Sequence, residues 1–585
     1  MSWQLYERAM SLLSEEIGAV KKPFGGKVTV AIAYPNTYEI GMSNLGFQKI
    51  YHLLNCHNDI LCERVFLPSH EDIIRFKKEG IPLFSLESQT PVCNFDIVAF
   101  SVTFESDYIN ILKILELSHI PIKSIERNER HPLILMGGIC ATSNPEPLSD
   151  FIDIFFIGEG DEAVDEFVGV LRSEYDKRRN GKTLYEFYLR LAAVNGIYIP
   201  SAYKIIYDKS GVIKEMLPGV GFPQKVKRRW VKDLNKTPTS SRLLTRNTVF
   251  GDMYLIETGR GCGKNCRFCL AGYTYRPPRN YSAEVILKEV SDGLGYRKKI
   301  GLVGSAICDN PHIEEICEGI KKAGGIISIS SLRLDKLSKG LIDFLSVSGH
   351  RTATIAPEAG SERLRKAINK EVSDDKILEA VQLIASAGIP NFKLYFLIGL
   401  PTETEEDIEA IVSLSKRIKH SVLKTGRDKR HLGNITLSIN PFIPKPSTSY
   451  QWEKMDDIAS LNRKIKKIKS GLKGVSNINI IHELPKWSFV QALLSRGDRR
   501  VGELLLRCHQ LDGDWFRTFR ETNINPDFYV YREREFNEVL PWDLIDTGIK
   551  KEFFIREAKK NREGVITPSC PEKGECRMCG DFGCL

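Results

Sequence analysis

Cys262, Cys266 and Cys269 stand in GRGCGKNCRFCLAGYTYRPPR, residues 259–279, spaced Cys-x3-Cys-x2-Cys. Thiolates grouped this way hold zinc or an iron–sulfur cluster. Structural zinc takes four ligands, and an ordinary four-iron cluster takes four cysteines. Three thiolates on one short loop leave one iron without a protein ligand, and an open position on a metal is what a reagent needs. A zinc site would need a distant thiol such as Cys308, and no partner stands at a recognisable spacing. A second set closes the sequence as Cys570-x5-Cys576-x2-Cys579-x4-Cys584, with glycines between that permit tight turns. Four thiols so close together indicate a metal site, either a structural zinc clip or an auxiliary iron–sulfur cluster. The other seven of the fourteen cysteines, Cys56, Cys62, Cys93, Cys140, Cys308, Cys317 and Cys508, stand singly and read as small buried hydrophobes.

The rest of the composition is that of an ordinary globular chain. Hydrophobic residues make up 42% and charged residues 27% of 585. No apolar run is long enough to cross a bilayer. The first twenty residues carry acids and no continuous apolar stretch, so they do not read as a signal peptide. A cytoplasmic location and thiols rather than disulfides are therefore expected. Trp3, Tyr6, Met10, Leu13 and Ile17 recur at helical spacing and suggest an amphipathic docking helix. The net charge of +9 is mild for this length and permits an anionic partner without demanding one.

Something must hold the thiols in place. Residues 1–200 alternate apolar strands (27–35, 96–104, 131–138, 153–160) with helical patterns. That implies a doubly wound parallel sheet, whose ligands sit beyond the carboxyl ends of its strands. Those ends carry PNTYEIGMSNLG, SVTFES, GGICATSNPEP and GEGDEA, rich in small and polar residues. Residues 201–245 read as a connector in which basic KVKRRWVKDLNK (225–236) is a solvated surface or a nucleic-acid contact. Residues 246–450 hold six further strand candidates, at 253–257, 300–304, 326–330, 352–356, 392–398 and 434–439. Helices fill the gaps. One runs from Ser373 to a stop at Gly388, and Thr402 with Glu405 has capping-box spacing. Six βα units make a partial barrel with its active face at the strand carboxyl ends. The three-thiol loop follows the first of these strands. Residues 451–565 read as mostly helical, with Ile458, Leu461, Ile465, Ile468 and Leu472 as a stripe amid lysines, and 566–585 is the cysteine tail.

The Cys262/Cys266/Cys269 spacing, with Phe268 before the last thiol, resembles the signature of the radical SAM superfamily. GSAICDNP (304–311), SSLRLD (330–335), APEAGSERLRKAINK (356–370), FLIGLPTETEED (396–407) and NPFIPKPSTSYQW (440–452) resemble later segments of such barrels, in order. Over nearly the whole chain the layout is similar to an uncharacterised family with a cobalamin-binding-like domain before the barrel and a cysteine cluster at the end.

The resemblance implies a 4Fe-4S cluster on the three thiolates and S-adenosylmethionine (SAM) on the open iron. Reductive cleavage of SAM would give a 5′-deoxyadenosyl radical, with flavodoxin or ferredoxin as electron donor. Phe268, Ser305, Arg333, Glu358, Gly399 and Pro401 would contact SAM. Ser101, Thr103, Gly137, Gly138, Gly158, Glu159 and Gly160 would contact cobalamin, although the Asp-x-His-x-x-Gly motif that ligates cobalt from below is absent. Three functions stay open at this point. One is a cobalamin-dependent methyltransferase. The second is an RNA- or protein-modifying radical SAM enzyme without cobalamin. The third is a non-catalytic iron–sulfur or zinc protein that binds nucleic acid.

Overall fold

The computed structural model describes residues 3–179, 184–330, 332–426, 433–571, 576 and 578–580. The N-terminal sheet has six strands: β1 (Val28–Tyr34), β2 (Ile60–Phe66), β3 (Ile97–Ser101), β4 (Leu133–Gly137), β5 (Ile154–Phe156) and β6 (Ile197–Tyr198). Their spatial order is β2-β1-β3-β4-β5-β6, parallel except for the antiparallel edge strand β6. The expected doubly wound domain is present. Strands β2 and β6 add to the four read from sequence.

The connector is more structured than expected. It contains an antiparallel hairpin, β7 (Tyr203–Tyr207) with β8 (Ile213–Pro218), and a short strand, β9 (Val226–Lys227). The barrel follows with β10 (Met253–Arg260), β11 (Arg279–Asn280), β12 (Lys299–Gly304), β13 (Ile326–Ile329), β14 (Thr352–Glu358), β15 (Asn391–Ile398), β16 (Ile435–Pro441) and β17 (Ile478–His482). All six expected strands form. The seventh parallel strand, β17, pairs with β16 and carries the barrel into 451–565, which is otherwise mostly helical as expected. The barrel consists of two four-stranded sheets, β11-β10-β12-β13 and β14-β15-β16-β17. Just past β13 a backbone bond from Leu332 N–H to Thr354 O, 3.0 Å, ties one sheet to the other. A last strand, β18 (Ile545–Asp546), pairs with β9 and ties the C-terminal region back to the connector.

Local chemistry sets the helix boundaries. Ser373 caps the helix Asp374–Ser386 by accepting from Lys376 N–H, and Gly388 follows at φ +90°, as the sequence indicated. The helix Glu405–Gly426 is capped two residues later than expected. Asp407 accepts from the Thr404 N–H at 2.7 Å, while Thr402 lies before the cap at φ +66°. The N-terminal helix, Trp3–Ser14, docks by a different face. Leu5 and Ala9 are buried and Tyr6 stacks on Phe84 at 4.7 Å, whereas Trp3, Met10 and Ile17 are exposed. Of the single cysteines, Cys62, Cys140, Cys308, Cys317 and Cys508 are buried as expected, but Cys56 is exposed and Cys93 partly so. No helix among the described residues is long and apolar enough to cross a membrane.

Candidate active site

The loop after β10 carries the three thiols, and its middle is pinned. Arg267, fully buried, donates to Ala367 O at 2.5 Å and pairs with Glu557 at 3.1 Å. Asn369 donates to the carbonyls of Lys264 and Asn265, each at 3.1 Å. Burial raises the Cys262, Cys266 and Cys269 thiols, Cys266 to about 12. The three interact electrostatically, with Lys370 beside Cys266 and Cys269 and Arg333 beside Cys262 as opposing cations. Buried thiols of this kind bind metal as thiolates once a cation compensates the charge. Among the described residues, no three Cys, His, Asp or Glu side chains converge as ligands of a single metal ion. Each thiolate of a four-iron cluster binds a different iron, so cluster ligands need no such convergence. The donor set fits a cluster better than zinc.

The expected SAM contacts fall in three places. Arg333 and Glu358 lie beside the thiols, each in an ion pair: Arg333 with Asp335 (2.6 Å) and Asp309, Glu358 with Lys370 (3.0 Å). Glu358 sits at φ +67°, where a side chain is strained, beside a register shift at the end of β14. Phe268 packs with Leu400, Leu364 and Tyr450 in a small apolar cluster. Gly399 flanks that cluster. Its φ is +79° and an added Cβ would lie 3.0 Å from Asp456 Cβ, which explains the glycine locally; half-buried Pro401 follows. Ser305, at the end of β12, faces a large cavity instead. Lys370 and Asp309 went unassigned in the sequence, although both lie inside the quoted strand-end segments.

That cavity, about 510 Å³, lies between the N-terminal sheet and the barrel. Ser101, Thr103, Gly137, Gly138, Gly158, Glu159 and Gly160 all line it. The barrel contributes Glu257, Arg260, Thr274, Tyr275 and Gly304. A slot runs inward from this mouth. One wall is sheet (Val30, Ile32, Ile97, Ala99, Leu135), and the other comes from the helices Leu45–Cys56 and Ala163–Arg179 (Ile50, Leu54, Val164, Phe167). Two glycines are imposed by close backbone approach. A Cβ on Gly138 would meet Val102 O at 2.3 Å, and one on Gly158 would meet Arg229 O at 2.1 Å.

A buried charge cluster joins the domains at the mouth. Glu159 accepts from Arg279 (2.6 Å) and Arg260 (2.9 Å), and Asp161 pairs with Arg260 (2.7 Å) and Lys49 (3.5 Å). Burial alone would raise the Glu159 carboxyl, but the two guanidiniums hold it below its usual value. Arg279, immediately after YRPP, is thus a clamp on the GEG loop. The basic segments are likewise committed. Arg228 is buried, Arg229 pairs with Glu166 at 2.5 Å, and in the lysine-rich helix Lys464 pairs with Glu403 at 2.5 Å and Lys467 with Glu405 at 2.7 Å.

The tail returns to the thiol loop. Cys570 N–H donates to Gly263 O at 2.8 Å. Cys579 is buried in an aromatic cluster with Tyr273, Trp542, Phe553 and Phe554. Arg276 lies over Tyr273 at 4.9 Å and interacts electrostatically with both Cys579 and Cys570. Cys576 is half-buried, and Cys584 lies outside the described residues.

A three-cysteine loop at the mouth of a parallel barrel, beside a doubly wound sheet, is the arrangement that the radical SAM resemblance implied. Family models agree. Residues 46–200 match "Radical SAM proteins, N-terminal" and residues 256–415 match "Radical SAM superfamily". An uncharacterized protein of Methanocaldococcus jannaschii is 31% identical over 478 residues, covering 81% of this chain and 90% of its own. The chain belongs to the radical SAM superfamily, and its cofactors are a 4Fe-4S cluster and SAM. Among solved structures, the cobalamin-dependent SAM radical enzyme OxsB overlays 66% of this chain and 52% of its own, at 20% identity and TM-score 0.46. The radical SAM methyltransferase TsrM from Kitasatospora setae overlays 70% of this chain and 73% of its own, at 14% identity and TM-score 0.46.

Proposed function

We propose that this radical SAM enzyme is cobalamin-dependent and transfers a methyl group. The observation that carries the reading is the apolar slot. Protein interiors pack at crystal-like density. Empty apolar volume costs about 24 cal/mol per Å³, so even part of a slot this size left unfilled costs several kcal/mol. Water would find few partners against Val30, Ile97, Leu135 and Phe167. A bulky ligand with an apolar tail and a polar body suits the space. The slot would take the nucleotide base of cobalamin. Ser101, Thr103 and the glycine backbones would hold its polar tail. The mouth, facing β10 and β12, would present the corrin ring toward the SAM side. Among the described residues, no histidine lines the cavity.

Cobalamin, when bound, supplies a carrier for the methyl group. The chain's own residues fix, shield and exclude water. Cys262, Cys266 and Cys269 hold the cluster. Arg333 and Glu358 stand beside it as polar contacts for SAM. The Glu159–Arg260–Arg279 clamp seals the domain junction. Cys570, Cys576, Cys579 and Cys584 would hold a second metal or cluster, with the Arg276 charge beside Cys570 and Cys579.

The test begins with anaerobic purification and iron reconstitution. Hydroxocobalamin binding is then followed by equilibrium dialysis and the visible spectrum, and SAM cleavage by 5′-deoxyadenosine release. Stoichiometric corrinoid binding is expected. SAM cleavage with no corrinoid binding would sink the cobalamin reading and leave an RNA- or protein-modifying radical enzyme.

A further inference from the structure

Four buried or nearly buried cations surround the cavity mouth: Lys49, Arg228, Arg260 and Arg279. Three of them have carboxylate partners within 3.5 Å. Arg228 has none among the described residues. Its side chain, 6% exposed, spends Nε on Thr547 O (3.3 Å) and Nη2 on Arg276 O, both neutral carbonyls. Its Nη1 is buried and makes no hydrogen bond. The carboxylates that reach it electrostatically are Glu159, already shared by Arg260 and Arg279, and Asp546, which accepts from Gly548 N–H. Burial accordingly pulls this guanidinium down to about 10, whereas Arg260, equally deep but paired, is held high.

A buried guanidinium without a counterion is costly, and removing the partner of a buried charge typically destabilises strongly. Where such a group lines a cavity, a ligand anion would complete it. Arg228 contributes to the wall of the cavity, beside Tyr275 and Glu159 and one hydrogen bond from the segment that carries the three thiols. The planar guanidinium suits oxyanions, which accept from it through two parallel N–H groups.

We propose that Arg228 binds an anionic oxygen group, a phosphate or carboxylate, carried by a molecule that occupies this cavity. Three sources share that chemistry: the nucleotide phosphate of a corrinoid, which rests on the function proposed above, the carboxylate of SAM, and an anionic group on the substrate. The charge-neutral alternative, in which Arg228 only braces the Arg276 and Thr547 carbonyls, predicts no ligand dependence.

The experiment compares wild type, Arg228→Lys and Arg228→Met as cluster-reconstituted full chains. Equilibrium dialysis measures hydroxocobalamin, cobinamide (the same ring without the nucleotide phosphate), SAM and inorganic phosphate. Arg228→Met should weaken at least one anionic probe by about tenfold or more, with Arg228→Lys intermediate. A loss for hydroxocobalamin but not cobinamide assigns the corrinoid phosphate. A loss for SAM assigns its carboxylate. A loss for inorganic phosphate alone assigns a substrate anion. If wild type binds no corrinoid, the SAM and phosphate arms still decide the matter. Unchanged binding of every probe that wild type binds, with melting temperature preserved, overturns the proposal. So does a Met variant whose only defect is a lower melting temperature.

Discussion

The N-terminal sheet and the barrel treat their strand carboxyl ends in opposite ways. The N-terminal sheet leaves space: glycines and small polar residues at the strand ends, then an apolar slot between the sheet and two helices. The barrel end is filled with charge: Arg333 with Asp335 and Asp309, Glu358 with Lys370, Arg260 with Glu257 and Asp161. A space of that shape selects a ligand by volume and apolar surface. A ring of paired charges around buried thiols selects by electrostatics and holds a reactive centre. On the function proposed above, the difference separates a carrier-binding half from a reacting half, and each half can be broken without the other.

The largest effect is expected on the barrel side. Cys266→Ala should remove the cluster, with iron content and 5′-deoxyadenosine release both falling to background. Cys140→Ala is the control. That thiol is buried more deeply than Cys266, but it lies in the N-terminal domain and should leave iron content unchanged. Equal iron in both variants would show that the loop thiols do not hold the cluster.

On the carrier side, Ala99→Phe should plug the slot from its sheet wall, between Ile97 and Leu135. A ring filling empty space adds apolar contact rather than strain, so the melting temperature should hold or rise. Corrinoid binding should weaken by at least about a hundredfold, equivalent to ~2.7 kcal/mol, while SAM cleavage persists. Loss of SAM cleavage in this variant would mean that the two halves are not separable.

How far these halves were legible in the sequence differs for a physical reason. Strands β1, β3 and β4 are continuous apolar runs, and the three thiols carry their own spacing, so both stood out. Strand β2 did not, because ILCERVF places Glu63 and Arg64 inside it. The structure satisfies both: Arg64 pairs with Glu16 and Glu87 at 2.6 Å each, and Glu63 accepts from Ser85 and Ser88 at 2.6 Å. Those partners come from other segments, and local periodicity is blind to them. Arg228 was missed in the same way. Within KVKRRWVK it looks like surface, yet its surroundings come from Arg276, Thr547 and Glu159. Strand β17 is a partly exposed edge, so its pattern lacked the apolar run of a central strand.

The junction between the halves gives a smaller, pH-dependent effect. Glu159→Gln should leave Arg260 and Arg279 short of a buried counterion and cost about 3–5 kcal/mol. The Glu159 carboxyl is depressed in the folded state from its ordinary value of 4.5, so its contribution is present above that value and lost as pH falls below it. Thermal melts of wild type should therefore decline more steeply below pH 4.5 than those of Glu159→Gln. Parallel declines would place the acid sensitivity elsewhere.

The smallest effect is expected at the tail, which belongs to neither sheet yet touches the reacting half through Cys570 and Gly263. Cys576 is half-buried, so oxygen in place of sulfur at Cys576→Ser costs little packing. Any change in metal content is then a change in ligation rather than in folding. If the tail holds a second centre, metal per chain falls by that centre's share while the Cys262/Cys266/Cys269 cluster and SAM cleavage remain. If the tail is only a packed cap on the thiol loop, metal content is unchanged. Arg276 links the two outcomes. Its charge is shared by Cys570 and Cys579 and it follows the loop directly, so a tail metal would be felt at the first cluster as a shift in its reduction potential. A potential identical in wild type and Cys576→Ser, alongside lost tail metal, would make the second centre structural.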